Sequence, residues 1–130
     1  MATSILNQIC AHLEFLGYTI TPGEKTTTAT HPKKLNIILR DFNDGVLFTG
    51  IFTCNDLAKK DRVGYLNFIN SLNQKAAIAR FYADKDSDLF YEAWFPNNYD
   101  RANFGRFAEL WDQDTLGELL AAPDARKYLG

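Results

Sequence analysis

The first hydrophobic pattern along the chain has the period of an α-helix. Apolar side chains recur every three to four residues over residues 4–16, and this spacing predicts an amphipathic helix. Gly17 follows this segment, and glycine is the residue that most often ends a helix. Helical spacing returns over residues 61–74, and again from Asp100, as the N-cap, to Pro123. Three helices are therefore expected.

Between these helices, the pattern changes to that of β-strands. Extended chain is predicted to begin at Tyr18 and, after a turn at Thr21–Glu24, to continue through residues 26–30. Four of these last five residues are threonines, and β-branched side chains favour strands. Two hairpins follow, with strands at residues 35–42 and 46–53 and at residues 77–83 and 89–95. The order helix, three strands, helix, two strands, helix predicts an α+β fold with one antiparallel five-stranded sheet packed against helices, in a single domain over residues 1–130.

The second hairpin allows its cross-strand pairs to be assigned. If residues 84–88 form the loop, one face of the sheet carries the pairs Tyr82 with Phe90, Arg80 with Glu92, and Ile78 with Trp94. Aromatic pairs and pairs of opposite charge at such positions stabilise a sheet. The other face carries several alanines, which suit close packing under helices, so we predict that this second face lies towards the core.

The face of the sheet that points away from the predicted core is apolar as well. The water-facing side of an antiparallel sheet normally alternates to polar residues, and this one does not. Large exposed apolar patches usually mark interfaces, so this outer face is interpreted as a binding surface unless a helix of the chain crosses to cover it. Its candidate partner-binding residues are Ile38, Leu47, Ile51, Ile78, Arg80, Tyr82, Phe90 and Trp94.

Composition narrows the class of partner. The 130 residues are 46% hydrophobic and 23% charged, which is an ordinary globular balance, whereas the aromatic content of 14% is high and the formal net charge is -2. Nucleic acid is not expected as a partner, because neutralising its phosphates requires a basic surface. No apolar run has the length of a membrane span, the N-terminus lacks a signal-type pattern, and two cysteines make no secreted disulfide framework. We therefore expect a cytoplasmic protein that does not contact membranes.

The sequence carries none of the motifs that commonly mark enzymes. It contains no G-x-G-x-x-G, no G-x-x-x-x-G-K and no G-x-S-x-G. Cys10 and His12 are two residues apart on a predicted helix, so they point in different directions and cannot share a metal. No catalytic residue, cofactor or metal site is predicted, and an enzyme is not expected.

Two acidic clusters have structural interpretations. Asp84, Asp86 and Asp88 begin like a calcium-binding loop, but Leu89 and Phe95 stand where such a loop requires Gly and Glu. A solvated turn between two strands is predicted instead. A second cluster on the last helix is predicted to form an exposed face, and its members are Glu109, Asp112, Asp114 and Glu118.

One basic cluster supports an alternative function. Lys59, Lys60 and Arg62 lie at the start of the predicted middle helix, where the helix macrodipole favours acidic residues. With Arg40, they are the candidate residues of an anion site. The alternative to a protein-binding module is therefore a small-ligand or anion-sensing regulatory domain.

The succession α-β-β-β-α-β-β-α resembles the type III secretion chaperone-like fold. Three segments resemble its YbjN-like bacterial and cyanobacterial branch, namely Leu13–Tyr18, Phe68–Asn73 and Ala79–Tyr82, within a resemblance that covers residues 4–122. The resemblance implies a small, cytoplasmic, non-enzymatic domain that often dimerises and holds a protein segment against its surface; some relatives carry the label of a sensory-transduction regulator. The leading hypothesis is therefore a homodimeric interaction module, chaperone-like or regulatory, that binds itself or another protein.

Overall fold

The computed structural model describes residues 4–130 and alternates helices with strands. In chain order, the elements are α1 (Ile5–Phe15), β1 (Thr19–Pro22), β2 (Thr27–His31), β3 (Lys34–Asp41), β4 (Gly45–Phe52), α2 (Asp56–Lys60), α3 (Arg62–Lys75), β5 (Arg80–Ala83), β6 (Leu89–Pro96), α4 (Arg101–Asp112), a π-helix (Gln113–Leu119) and α5 (Pro123–Tyr128). The strands form one sheet in the order β1-β2-β3-β4-β6-β5. Within it, the pairs β1–β2, β2–β3, β3–β4 and β5–β6 are antiparallel.

Contacts group the chain into two compact units. The first contains residues up to Gly50 together with residues 93–109, and the second contains residues 51–92 together with residues 110–130. The expectation of a single domain over residues 1–130 stays a prediction.

Aromatic side chains fill the core of the first unit. Phe104 and Phe107 of α4 stack with ring centroids 5.8 Å apart, and Phe48 and Phe95 meet the Phe107 ring edge-to-face at 5.0 and 5.2 Å. The apolar stripe that predicted α1 is also buried in this unit, through Ile5, Ile9 and Leu13. Edge-to-face and offset-stacked rings add to the stability gained from burying their area.

Tyr91 lies at the centre of a second aromatic cluster, in the second unit. Its ring lies 5.9 Å from Phe81 and 5.7 Å from Trp111. Burial raises the pKa of the Tyr91 hydroxyl well above its ordinary value. The predicted core face of the second hairpin therefore does face the core in this unit.

The sheet has six strands, whereas five were predicted. The threonine-rich region that was counted as one strand forms two, because β1 turns back to pair with β2 from Thr19 opposite Thr30 to Pro22 opposite Thr27. Pro22 lacks the N–H that a strand with two neighbours would use, and β1 is an edge strand, where proline is tolerated. The extra strand lengthens the sheet at the edge opposite β5.

The predicted final helix from Asp100 to Pro123 is likewise more complex. It is α-helical as far as Asp112 and then π-helical, with the N–H of Leu120 donating to the carbonyl of Thr115, five residues back. Asp114 was predicted on an exposed face, and this is wrong, because its carboxylate is fully buried. A π-turn contains more residues than an α-turn, so the side chains that follow Asp112 leave the α-helical register on which the prediction rested.

Candidate functional site

The outer face of the second hairpin has the predicted register. Arg80 lies opposite Glu92 and Tyr82 lies opposite Phe90. Arg80 Nε and Nη2 both donate to Glu92 Oε1, at 3.1 and 2.7 Å, and the rings of Tyr82 and Phe90 stack with centroids 5.6 Å apart. Both cross-strand pairs of this face are therefore formed within one unit.

Part of this face is exposed. Tyr82 is 38% exposed and Ile51, also in the second unit, is 45% exposed, while Phe90 is half-buried. Tyrosine, arginine and apolar side chains are the types that dominate binding energy at protein interfaces. We call the set Ile51, Arg80, Tyr82 and Phe90 the aromatic patch.

In the first unit, Trp94 covers the turn of the β3–β4 hairpin. Its indole N–H donates to the carbonyl of Phe42 at 2.7 Å, and a Cβ atom on Gly45 would lie only 2.5 Å from the same nitrogen. The ring is 43% exposed, so it presents an apolar surface while its polar atom is bonded to its own chain.

One outer-face candidate is buried and two are half-buried. Leu47 is only 2% exposed, because both sides of β4 are buried as far as Gly50. Ile78 is half-buried and precedes β5, which begins at Arg80, so it forms no strand pair there. Ile38 is half-buried opposite Thr49.

The edge of the sheet beside the aromatic patch is capped by a side chain. Asn73 of α3 accepts a hydrogen bond from the N–H of Phe81 at 2.8 Å and donates to the carbonyl of Phe81 at 2.9 Å. Its amide therefore occupies the positions that a neighbouring strand would use. Capping the free groups of an edge strand prevents pairing with another chain through that edge.

The basic residues proposed for an anion site are divided among different roles. Lys59 and Lys60 end α2, where cations suit the helix dipole. Arg62 Nη1 donates to Ser87 Oγ at 2.6 Å, and the Arg40 guanidinium lies 4.8 Å from the centre of the Phe42 ring. The start of α3 is instead capped by the carboxylate of Asp61.

That carboxylate is bonded twice at the start of α3. Asp61 Oδ1 accepts from the Gly64 N–H at 3.1 Å and Oδ2 accepts from the Tyr128 hydroxyl at 2.7 Å. The bond from Tyr128, and after it the bond from Gly64, lowers the pKa of Asp61. A negative group therefore already occupies the position at this helix end where an anion was expected.

The loop at residues 84–88 is a turn fixed from several sides. Asp84 Oδ1 accepts the N–H groups of Asp86 and Asp88, and the hydroxyl of Tyr65 donates to the carbonyl of Ser87. Asp88 Oδ1 accepts the N–H of Cys54 at 3.0 Å. Two of the three acidic side chains that suggested a calcium loop, those of Asp84 and Asp88, therefore accept backbone hydrogen bonds, as a turn requires.

An open groove lies in the first unit, where the sequence suggested no site. It has a volume of about 330 Å3 and is lined by Gln8, Ala11, His12, Phe15, Tyr99 and Arg101. We call it the α1 groove. Gly17 follows the C-cap Leu16 with a φ of 100°, a left-handed conformation that suits glycine, and so turns the chain two residues after Phe15. Phe15 remains 72% exposed, although it is a large aromatic residue.

The polar groups of the α1 groove are positioned by packing. His12 Nδ1 and the Tyr99 hydroxyl share a hydrogen bond of 2.8 Å, and the His12 ring packs edge-to-face on Phe104 at 4.9 Å. Burial, and then the positive charge of Arg101, lowers the pKa of His12, so the imidazole is neutral near pH 7. The Arg101 guanidinium lies 5.0 Å from the centre of the Phe15 ring, within cation–π range.

Two sequence signals could have located this groove. Phe15 falls outside the apolar stripe of α1, which predicts an exposed aromatic ring. Arg101 is the first residue of α4, an end where the macrodipole disfavours cations, and it follows Asp100, whose carboxylate accepts the N–H groups of Ala102 and Asn103.

The cysteines lack the environment of an activated nucleophile. Burial, followed by the charge of Glu14, raises the pKa of the Cys10 thiol, and burial, followed by the charge of Asp88, raises that of Cys54. Reactive cysteines have lowered pKa values. In residues 4–130, no cluster of histidine, cysteine and acidic side chains has the make-up of a metal site. Over the same residues, no helix combines the length and apolar character needed to cross a membrane.

Comparison with known proteins identifies a fold. No protein-family model matches this chain, and no curated protein matches it in sequence. In three dimensions, it is similar to the crystal structure of YbjN from E. coli, which is described as a proposed transcription regulator. The match has a TM-score of 0.75 and covers 96% of this chain and 95% of that one at 11% sequence identity. The resemblance inferred from the sequence is therefore confirmed at the level of fold, and the chain has the YbjN-like α+β fold.

Proposed function

We propose that this protein is a non-enzymatic regulatory module that acts in the cytoplasm as a homodimer, through the aromatic patch. The description of YbjN as a regulator is consistent with a regulatory role, although at this identity the likeness concerns the fold. The observation that carries the proposal is the stacked Tyr82–Phe90 pair, whose tyrosine is exposed.

The charge on the patch favours a second copy as the partner. Arg80 and Glu92 neutralise each other, so the patch presents no net charge to repel an identical surface. In a two-fold symmetric dimer, the same patch is used by both subunits and must be complementary to itself. A neutral aromatic surface meets this requirement, whereas a surface of one charge does not.

The Asn73 cap decides which surface of the sheet such a dimer uses. Pairing through the β5 edge would require the N–H and carbonyl of Phe81, and both are already bonded to Asn73. Association is therefore proposed to occur face to face. The same surface would hold a segment of another protein if the module acts as a chaperone.

The test is the molar mass in solution, measured by light scattering and sedimentation over a range of concentrations. The wild type is expected to be a dimer and Tyr82→Asp a folded monomer, because the new carboxylate would lose its water in the interface. Val63→Asp is the matched control, because Val63 is even more exposed but lies on α3, and it should stay dimeric. A wild-type monomer at every concentration, or a dimer that survives Tyr82→Asp, would overturn the proposal.

A further inference from the structure

We propose that the α1 groove binds a small aromatic carboxylate. This site lies in the first unit and is separate in sequence and in chemistry from the aromatic patch, so the inference goes beyond the proposed function. It rests on the volume and lining of the groove and on the charge of Arg101.

The groove has the properties of a small-molecule site. Its volume of about 330 Å3 lies at the lower end of the range of ligand pockets, about 300–1,000 Å3, which suits a compact ligand of one or two rings. Such pockets are lined by apolar and aromatic groups with a few placed polar atoms. Phe15 and Ala11 supply an exposed apolar surface on which a ring can pack, while Gln8 and Tyr99 supply hydrogen-bonding groups.

Arg101 specifies the charge of the ligand. Among the lining residues, all of which belong to the described part of the chain, Arg101 alone is charged when His12 is neutral. No carboxylate in residues 4–130 forms an ion pair with its guanidinium, whose described contact is the face of the Phe15 ring. A guanidinium can bind a carboxylate through two parallel N–H bonds while one of its faces stays against an aromatic ring.

The remaining geometry places the two parts of the ligand. Because the Arg101 guanidinium lies 5.0 Å from the centre of the Phe15 ring, a ligand ring that packs against the exposed part of Phe15 can direct a carboxylate towards Arg101. The hydrogen bond between His12 and Tyr99 fixes two further lining residues, and no lining residue carries a negative charge that would repel the ligand.

Binding is measured by two-dimensional NMR and calorimetric titration with phenylacetate, 4-hydroxybenzoate and indole-3-acetate. The neutral isostere phenylacetamide and the ring-free anion acetate are the comparison ligands. We expect saturable binding of at least one aromatic acid, with amide shifts centred on residues 8–15 and 99–101. Phenylacetamide and acetate should bind at least about tenfold more weakly, since a hydrogen bond to a charged group is lost in one and the ring contact in the other.

Substitutions distinguish binding at this site from non-specific binding elsewhere on the protein. Arg101→Gln should weaken binding of the aromatic acid at least about tenfold, since the charge-assisted pair is removed. Arg106→Gln, an exposed arginine on the same helix, should leave binding unchanged. Phe15→Ala should weaken binding with an unchanged circular dichroism spectrum, because the ring is largely exposed.

Three outcomes would overturn the proposal: no saturable binding of any of the three acids, equal affinity for phenylacetate and phenylacetamide, or equal loss in Arg101→Gln and Arg106→Gln. The molar mass of each variant is measured in parallel. A failure of the aromatic-patch dimer would therefore be seen separately from a failure of this site.

Discussion

Asp114 Oδ2 accepts a hydrogen bond of 2.8 Å from the backbone N–H of Ala79. The same oxygen accepts the N–H of Ile78 at 2.8 Å, and Oδ1 accepts that of Ala77 at 2.8 Å. One buried carboxylate thus satisfies three consecutive backbone donors in the segment that leads into β5. The π-helix is the element that brings this carboxylate to the segment.

Replacing Asp114 with Ala should destabilise the protein by about 3 kcal/mol or more. Three N–H groups, one buried and two part-buried, would lose a charged acceptor, and a hydrogen bond to a charged group contributes about 1.5–3 kcal/mol. The measurement is urea denaturation followed by circular dichroism. Glu109→Ala, at an exposed position of α4, should change the free energy of unfolding by less than about 0.5 kcal/mol. Equal effects of the two substitutions would show that the three bonds contribute nothing.

Asn73→Ala should expose the β5 edge. Two hydrogen bonds to Phe81 are lost, which we expect to cost about 1–2 kcal/mol, and the uncapped edge should promote aggregation on prolonged incubation. Turbidity and light scattering at constant protein concentration measure this. Asn70→Ala, an exposed asparagine of the same helix, provides the comparison and should remain as soluble as the wild type. Equal aggregation of both variants would contradict the capping role.

Two glycine substitutions should have opposite effects on the stability of the fold. A Cβ atom on Gly45 would overlap the Phe95 carbonyl oxygen and approach Trp94 Nε1 to 2.5 Å, so Gly45→Ala should destabilise by about 1–3 kcal/mol. Gly105 lies within α4 with nothing within 4 Å of a Cβ atom, so Gly105→Ala should stabilise by about 0.5–1 kcal/mol. The melting temperatures of the two variants test this prediction, and a shift of the same sign in both would contradict it.

His12 should make stability depend on pH. Its pKa in the folded state lies below the ordinary value of 6.5, because the ring is buried and then because Arg101 is positive. At pH values between these two pKa values, the unfolded chain therefore binds more protons than the folded chain. The free energy of unfolding should rise with pH across this range. The contribution of His12 is fully present above pH 6.5 and is lost as the pH falls through the lowered pKa.

His12→Asn should flatten the dependence of the free energy of unfolding on pH, measured by denaturant titrations at several pH values. Tyr99→Phe should retain it, because burial is the main cause, and an unchanged slope in His12→Asn would contradict the assignment.

Local patterns were sufficient where neighbouring residues determine the structure. The second hairpin was predicted down to its register because Arg80 with Glu92 and Tyr82 with Phe90 are pairs that only one alignment brings together. Strand number was misjudged because the turn at Thr21–Glu24 interrupts threonine-rich chain that is extended on both sides. The number of strands in this region depends on whether its two halves pair with each other.

Features that depend on distant residues were not predicted. Asp114 binds a segment 35–37 positions earlier in the chain, and its inward direction follows from a π-turn that α-helical spacing does not represent. Leu47 was placed on an exposed face because strand alternation predicts one exposed side, whereas both sides of β4 are buried as far as Gly50. The α1 groove joins residues 8–15 to residues 99–101, which no local pattern links.

The two tryptophans give this chain a fluorophore in each compact unit. Trp94 belongs to the unit of residues 4–50 and 93–109, and Trp111 to the unit of residues 51–92 and 110–130. Trp94 is partly exposed and Trp111 is buried, so their emission maxima should differ. In Trp94→Phe the remaining emission comes from Trp111 and reports on the second unit. In Trp111→Phe it comes from Trp94 and reports on the first. Coincident unfolding curves would show that the chain melts as one cooperative domain, and separate midpoints would show that it melts as two.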